Sequence, residues 1–474
     1  MSDVSSATGS GRVDRRRLLR GAGLAAAGGA GLIALSDNTA AAAATAVTAI
    51  NVKDSPFNAT GNGTTDDRAA IQAALNDVPT SGGAVYFPPG DYLVSGPLAP
   101  KSRTLMYGSH IPRWQGPVNP ESACKIRMSG TFSGTGLIVP AGSTVAVKLR
   151  NLALVGNNVG TGLHGLRMPD KAVAAGEGSW ELEDVTIAGF SGDGIYGRVH
   201  VAILANCFIH NNQGWGINAS NGNNWNDVHV ANCFLYYNKA GNVYFGGSQN
   251  SAGIEFVNCR FERAGTNPAD VLAPLNASAP GVRLASARLI EFVNCNTDAN
   301  CGNGFEIVSE TTSPSYRPDH ILLANCRFNR DGTGNQSTLG EFAGLKVMGL
   351  NTTDRVVGEI KCVNCVVANG KASDSGSGTV IGPKYGVWYE NTNYFQWIGG
   401  NLSPSSQATN NEYHQGTGGN WRPTIIDIER KLMTLPTSAP SSGLPIPTGS
   451  AYFDTGTSKL FVRNGTAWKS VQLL

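Results

Sequence analysis

Seven residues occupy the outward position of a recurring Gly-led strand: Tyr196, Asn218, Tyr244, Arg283, Glu306, Lys346 and Trp388. Together they supply what a saccharide groove needs: aromatic rings for sugar faces, cations for uronate carboxylates and a carboxylate for proton transfer. In a lyase, Arg283 or Lys346 would abstract the proton alpha to a uronate carboxylate. Glu306 would then hold the substrate or a cation, with calcium the candidate, and no other cofactor is called for. In a hydrolase, Glu306 would need a second acid. Asp193, in Ser191-Gly192-Asp193-Gly194, sits just before such a strand, but several coils away.

A second row follows a recurring Asn: Phe208/His210, Phe234/Tyr236, Arg260/Glu262, Asn296/Asp298 and Arg327/Asn329, with Arg263 and Arg330 just beyond. Glu262 and Asp298 hold equivalent positions in successive copies. If those copies stack directly, the two carboxyls would approach the ~5–9.5 Å separations of glycosidase pairs. His210 and Tyr236 would line the substrate side of that row. A third row holds His229, Glu255 and Glu291. In every row the competing reading is a solvated strand face, whose charges block edge-to-edge aggregation. His110 and the lone His164 read as structural. The triplet Asn296-Thr297-Asp298 copies a short polygalacturonase motif without its later partners, so it reads as chance.

The elements that must position these residues form an internal repeat. Asn-Cys follows an apolar strand at Asn206-Cys207, Asn232-Cys233, Asn258-Cys259, Asn294-Cys295, Asn325-Cys326 and Asn364-Cys365, with Asn spacings of 26, 26, 36, 31 and 39. Degenerate copies begin at Asn151 and Asp184. Each copy has a Gly-led strand, a strand before the Asn and a strand from the Cys. Alternation turns Cys207/Ile209, Cys233/Leu235, Cys259/Phe261 and Cys326/Phe328 inward. Three short strands per coil, stacked in register, make a parallel β-helix. The Asn tolerates left-handed geometry at a tight turn, and stacked Asn amides can bond to one another. Cys362 and Cys365 both fall on inward positions, which favours buried thiols over a disulfide or a zinc site.

Composition agrees. Gly is 60 of 474 residues, well above the average near 7%, and charged residues are only 15%, which excludes collagen-like and charge-rich helical classes.

The segment before the repeat is more specific: Gly61-Asn62-Gly63-Thr64-Thr65-Asp66-Asp67, then Ala69-Ala70-Ile71-Gln72-Ala73-Ala74-Leu75, then Gly82-Gly83-Ala84-Val85-Tyr86-Phe87-Pro88-Pro89-Gly90-Asp91. Asp66 is placed to cap a helix over about residues 67–77, with Ile71 and Leu75 on one face. Gly82-Gly83 turns the chain into a strand over 84–87. The segment resembles the N-terminal cap of the pectate-lyase superfamily of right-handed parallel β-helices, a group that includes rhamnogalacturonase-like and epimerase-like proteins and phage tailspikes. The resemblance implies extracellular carbohydrate chemistry, by lyase, hydrolase or epimerase action. It also implies a groove along the Gly-led strands. The expected function is a secreted polysaccharide lyase or glycoside hydrolase, against a non-catalytic glycan-binding adhesin.

The ends complete the layout. Asp14-Arg15-Arg16-Arg17-Leu18-Leu19-Arg20 before an Ala/Gly/Leu stretch resembles a twin-arginine export signal over residues 1–46, and no later run is long enough to span a bilayer. Removing it takes five Arg and three Asp from totals of 36 basic and 34 acidic residues, leaving 31 of each. A nucleic-acid binder would show a basic excess, so none is expected as a partner. The cap is expected over 47–110, the helix over 111–430 and a Pro/Ser-rich linker over 431–450. A β-hairpin module follows over 451–474, with turns at Gly456 and Asn464-Gly465. That module could mediate homotrimer formation or glycan adhesion, or fold back on the helix.

Overall fold

The computed structural model describes residues 49–110, most of 123–400 and short strands between 413 and 471. The export signal expected over 1–46 lies outside the described residues. Among them, no helix is long and apolar enough to cross a membrane.

The Gly-led strands stack into one sheet of ten, the strands before the Asn into a sheet of fourteen, and the Cys-led strands into a sheet of eleven, counted among the described residues. Each strand pairs in parallel with its equivalent in the next coil, as in Ala205↔Ala231, Ile209↔Leu235 and Ile217↔Val243. This is the parallel β-helix that the repeat predicts. The exception lies at one end, where Leu432–Thr434 pairs antiparallel with Thr424–Asp427. The stretch expected to be pure linker therefore begins with a strand. Farther on, Ala451–Asp454, Lys459–Asn464 and Ala467–Val471 form a separate three-stranded antiparallel sheet. The turns expected at Gly456 and Gly465 lie outside the described residues, and Asn464 is the last residue of the middle strand.

The turn Asn residues are left-handed: φ is 55° at Asn206, 54° at Asn232, 55° at Asn258 and Asn294, 53° at Asn325 and 52° at Asn364, and the degenerate copies Asn151 and Asp184 share it at 51° and 55°. A short polar side chain carries this geometry at lower cost than a bulky one. The amides also form the expected ladder: Asn258 Nδ2 donates to Asn232 Oδ1 and Asn232 Nδ2 to Asn206 Oδ1, both at 3.3 Å.

The Cys that follows is explained by the coil below it. Each thiol donates to a carbonyl of the preceding coil: Cys259 to Val230 O at 3.4 Å, Cys326 to Phe292 O at 3.3 Å and Cys365 to Leu323 O at 3.3 Å. The residue is small enough for the column and still satisfies a buried acceptor, which Ala or Val could not. All nine cysteines are free and buried, Cys362 and Cys365 included. Burial pushes the Cys124 thiol up to about 12. A thiol reagent should therefore find no reactive Cys in the native protein and nine after unfolding. A native titre above one would show that the column is open.

The strands before the Asn contain a second left-handed row at Val201 (φ 60°), Asp227 (53°), Gly253 (66°), Leu289 (53°) and His320 (52°). Gly253 and the short polar Asp227 suit it best. Val201 is β-branched and 45% exposed, so it bears the strain without a burial gain. Val201→Gly should raise unfolding stability by about 0.5–1 kcal/mol in denaturant titration.

The cap helix spans Arg68–Asp77 and buries Ile71, Ala74 and Leu75. The N-cap position is held by Asp67, without a side-chain cap bond, and not by Asp66 as expected; Asp66 stands one residue upstream, where its Oδ1 accepts from Arg68 N at 3.1 Å. Asp67 has turned away, and accepts from Thr60 N at 2.7 Å and Gly61 N at 2.9 Å. The strand after Gly82 runs Gly83–Tyr86.

Candidate active site

The Gly-led sheet brings all seven predicted residues into one row. Tyr196 pairs in register with Asn218, Asn218 with Tyr244, Tyr244 with Arg283, Arg283 with Glu306, Glu306 with Lys346, and Lys346 with Trp388. The row also extends to Arg167 before Tyr196. The strands are short, and a Gly opens nearly all of them because the next coil leaves no room. A Cβ on Gly216 would lie 2.7 Å from Asn242 O, and one on Gly304 would lie 2.6 Å from Gly344 O.

The centre of the row is a charged cluster. Arg283 bonds Glu306 through Nη1 and bonds Glu310 through Nε at 2.8 Å and through Nη2. Tyr244 OH donates to Glu310 Oε2 at 2.8 Å, and Asn303 Nδ2 donates to Glu306 Oε1 at 3.3 Å. The Glu306 side chain is 11% exposed and that of Arg283 30%. Burial disfavours the guanidinium charge, but Glu306 and Glu310 outweigh it and hold Arg283 above its ordinary value. Arg283 is thereby engaged with two carboxylates, whereas the lyase reading offered it as a base. It is an organiser of carboxylates. Burial, then the Glu310 bond, raises the Tyr244 phenol. Glu310 was not singled out in the sequence, because it lies past the end of its strand, where alternation assigns no face.

Aromatic surfaces flank the cluster. Trp215 stacks on Tyr244 at 4.9 Å between centroids, and Tyr385 meets Trp388 edge-on at 5.2 Å. Lys346 Nζ lies 4.9 Å from the centroid of a Trp388 ring. At the other end, His164 stacks on Tyr196 at 4.6 Å, and the Arg167 guanidinium sits 4.3 Å from the same ring centroid. His164, read as structural, accepts from Asp193 N at 3.0 Å through Nδ1.

Asp193 is committed to the turn. Its Oδ1 accepts from Trp215 N at 2.6 Å and its Oδ2 from Asn218 Nδ2 at 3.0 Å. Three strands of the sheet separate its coil from that of Glu306. At the usual strand spacing that is about 19 Å, beyond any glycosidase pair. Asp193 thus positions Asn218 and is no second acid for Glu306.

The second row also stacks directly: His210↔Tyr236, Tyr236↔Glu262, Glu262↔Asp298. The two carboxyl residues are neighbours, as expected, but they are closed off. The Glu262 side chain is 5% exposed and ion-paired with Arg260, whose Nε lies 2.8 Å from Oε1 without the alignment of a hydrogen bond. Asp298 is bonded by Arg330 Nε at 2.7 Å and through Nη2, and by Asn329 Nδ2 at 2.9 Å. Burial raises Glu262 despite Arg260, and Asp298 adds to the rise. His210 and Tyr236 are each 1% exposed and stack on one another at 4.6 Å. A polymer cannot reach these four, so the row is withdrawn as a substrate groove. In the third row His229 Nδ1 meets Glu255 Oε2 at 3.0 Å on an exposed face.

Behind the groove runs a polar ladder that the repeat analysis missed. Asn212 Nδ2 donates to Asn238 Oδ1 at 2.9 Å, and Asn238 Nδ2 to Asn242 Oδ1 at 2.9 Å. Asn242 Nδ2 donates to Asn300 Oδ1 at 3.3 Å, and Asn300 Nδ2 to Asp331 Oδ1 at 2.8 Å. Thr297 Oγ1 donates to Asp331 Oδ2 at 2.6 Å, which explains the Thr of the polygalacturonase-like triplet as an inward structural residue. The signal was present: Asn212, Asn238, Ala264, Asn300 and Asp331 all stand six residues after a turn Asn. No group of three or more potential metal ligands occurs among the described residues.

Residues 49–113 match the family described as Rhamnogalacturonase A/epimerase, pectate lyase-like. Over 62 residues, 13% of this chain, it is 47% identical to mannuronan C5-epimerase AlgE3 of Azotobacter vinelandii, and the match spans only 3% of that protein. AlgE6 from the same organism is 45% identical over 62 residues, 7% of its length. Among solved structures, the A-module of Azotobacter vinelandii AlgE4 superposes with a TM-score of 0.54 at 18% identity, covering 79% of this chain and 99% of that one. The connection between successive parallel strands follows the usual hand. The chain is a right-handed parallel β-helix protein whose cap carries the rhamnogalacturonase A/epimerase, pectate lyase-like signature.

Proposed function

We propose that this protein is an exported enzyme acting on an acidic polysaccharide, with the polymer laid along the Gly-led sheet. The observation that carries the reading is the in-register row from Tyr196 to Trp388, with ring platforms on both sides of one charged cluster. The stacking spacing of about 4.8 Å per coil is close to the length of one sugar, so an extended glycan meets one row residue per monomer.

Within this reading, chemistry at the carbon alpha to a uronate carboxylate fits better than hydrolysis. Glu306 and Glu310 are both drawn onto Arg283, which sets neither carboxyl apart as an acid across a glycosidic bond. Abstraction of the alpha proton needs one base and a cation facing the substrate carboxylate. Lys346, beside Glu306 in the row, supplies the cation, and Glu306 is the carboxylate placed to take the proton. From the resulting carbanion, breaking the C4–O bond, with the departing sugar oxygen taking up a proton, gives the unsaturated product of a lyase, whereas delivery of a proton from a second donor on the opposite face gives the inverted uronate of an epimerase. The likeness to epimerases supports the shared first step.

The test is incubation of the full chain with a panel of acidic and neutral polysaccharides, with and without calcium. Absorbance of unsaturated uronates marks a lyase, and inversion at the uronate carbon by proton NMR marks an epimerase. New reducing ends alone would transfer the reading to a hydrolase. Retention with no chemistry on any polymer would leave the adhesin.

A further inference from the structure

We propose, resting on the groove assigned to the Gly-led sheet, that its polymer is one in which uronates alternate with neutral sugars, and that Asn218 reads a hydroxyl of the neutral one. Asn218 is 9% exposed, and its Oδ1 is buried without a hydrogen-bond partner. An unpaired buried acceptor is a standing cost to a fold. Here its direction is fixed. Asn218 Nδ2 donates to Asp193 Oδ2 at 3.0 Å, and Asp193 Oδ1 is itself held by Trp215 N at 2.6 Å. Turning the amide over would set its oxygen against the carboxylate, so Oδ1 stays on the other side. In the row Asn218 lies between the half-buried Tyr196 and Tyr244 of the neighbouring coils. An acceptor kept in place this way suits a donor from outside the chain, and the donors of a glycan are its hydroxyls.

The same geometry disfavours a uronate at this step. A carboxylate brings only acceptor oxygens, which would meet Asn218 Oδ1 and, behind it, the Asp193 carboxylate. His164 Nδ1 lies 3.3 Å from Asp193 Oδ2, but it is the acceptor from Asp193 N and gives that oxygen no proton. The residues in register with Asn218 are Tyr196 and Tyr244, neither of them a cation. Arg167 and Arg198 belong to the coils before and at Tyr196, whereas Arg283 and Lys346 stand on either side of Glu306. Trp215, stacked on Tyr244, adds a ring for the apolar face of a sugar. From Asn218 to Glu306 is three coil steps, through Tyr244 and Arg283. That is about 14 Å at strand spacing. With one sugar per coil, the sugar at Asn218 is the third from the uronate at Glu306. In an alternating polymer every odd step from a uronate is neutral, whereas in a homopolyuronate that step carries a carboxylate.

Affinity electrophoresis of the full chain tests this in two gels: hyaluronate, where glucuronate alternates with a neutral sugar, and cellouronate, an unbroken run of glucuronate. The wild type should be retained about tenfold more strongly by hyaluronate, the step that one hydrogen bond accounts for. Asn218→Ala should bring the two retentions within about twofold of each other, with circular dichroism unchanged. Asn218→Ser keeps an acceptor oxygen on a shorter arm, so its ratio should fall between, and it replaces the alanine variant if that one does not fold. Wild-type retention that is equal on the two polymers, stronger on cellouronate or absent from both would overturn the proposal. So would a ratio that Asn218→Ala leaves unchanged. The readout does not require cleavage. Preference for hyaluronate without turnover of any polymer would keep the subsite and remove the chemistry, and turnover of cellouronate with equal retention would do the reverse.

Discussion

Glu306→Gln is expected to lower turnover of the responsive polysaccharide about 10²–10⁴-fold, the range for loss of a proton-transfer group. The substitution keeps the shape and one acceptor oxygen, so Arg283 retains a partner there and keeps Glu310 entirely. The cost in stability should be about 1 kcal/mol, since Arg283 is part-exposed and not orphaned. Steady-state kinetics beside a denaturation curve separates the two effects. A variant that turns over at the wild-type rate would remove Glu306 from the chemistry. A variant that unfolds much more easily would make it a structural residue.

Asp331→Asn is expected to abolish most of a pH dependence of stability. Asp331 is fully buried at the end of the Asn ladder. Burial outweighs its bonds from Thr297 and Asn300 and lifts its carboxyl to about 8. An unfolded Asp releases its proton near pH 4. Between these values the folded chain holds a proton that the unfolded chain has lost. The contribution is therefore fully present below about pH 4 and is lost as pH rises through about 8. Denaturant titrations of the wild type should show stability falling over that window by a few kcal/mol. In Asp331→Asn the curve should be flatter and should lie above the wild type at pH 8. The added amide completes the ladder, with Nδ2 donating to Thr297 Oγ1. If the two curves run parallel, Asp331 is ionised in the fold. The position has no slack on its other side, where a Cβ on Gly304 would lie 2.3 Å from Asp331 Oδ2.

The two expectations differ in how far the sequence alone could reach. Glu306 was legible because it stands on a strand, and strand alternation is a local property that assigns a face without knowledge of any neighbour. The same rule placed the seven outward residues, and the Asn and Cys columns followed from the repeat because each copy meets its neighbour at the same offset. Even Asp331 obeys the offset, and the repeat would have found it had position six been followed through the Ala264 gap, which Asn242 bridges from the next strand.

Alternation could not tell which outward charges are available. Arg283 and Glu306 share a face with Lys346, but Arg283 is also held by Glu310, beyond the strand end. Glu262 and Asp298 sit in an outward row and are nevertheless closed off, because Arg260 and Arg330 fold over them. Asp193 reads as an acid before a Gly-led strand, yet a backbone N–H and an Asn amide from the next coil occupy it. In each case the deciding contact comes from a side chain at a turn or from the adjacent coil, at a sequence distance set by the inserted loops. The residue pattern alone therefore determined the coil, its faces and its columns. Which of the charges on those faces are bound, buried or open to a substrate was decided only when the coils stacked, because pairing and desolvation depend on distances across coils that no local period encodes.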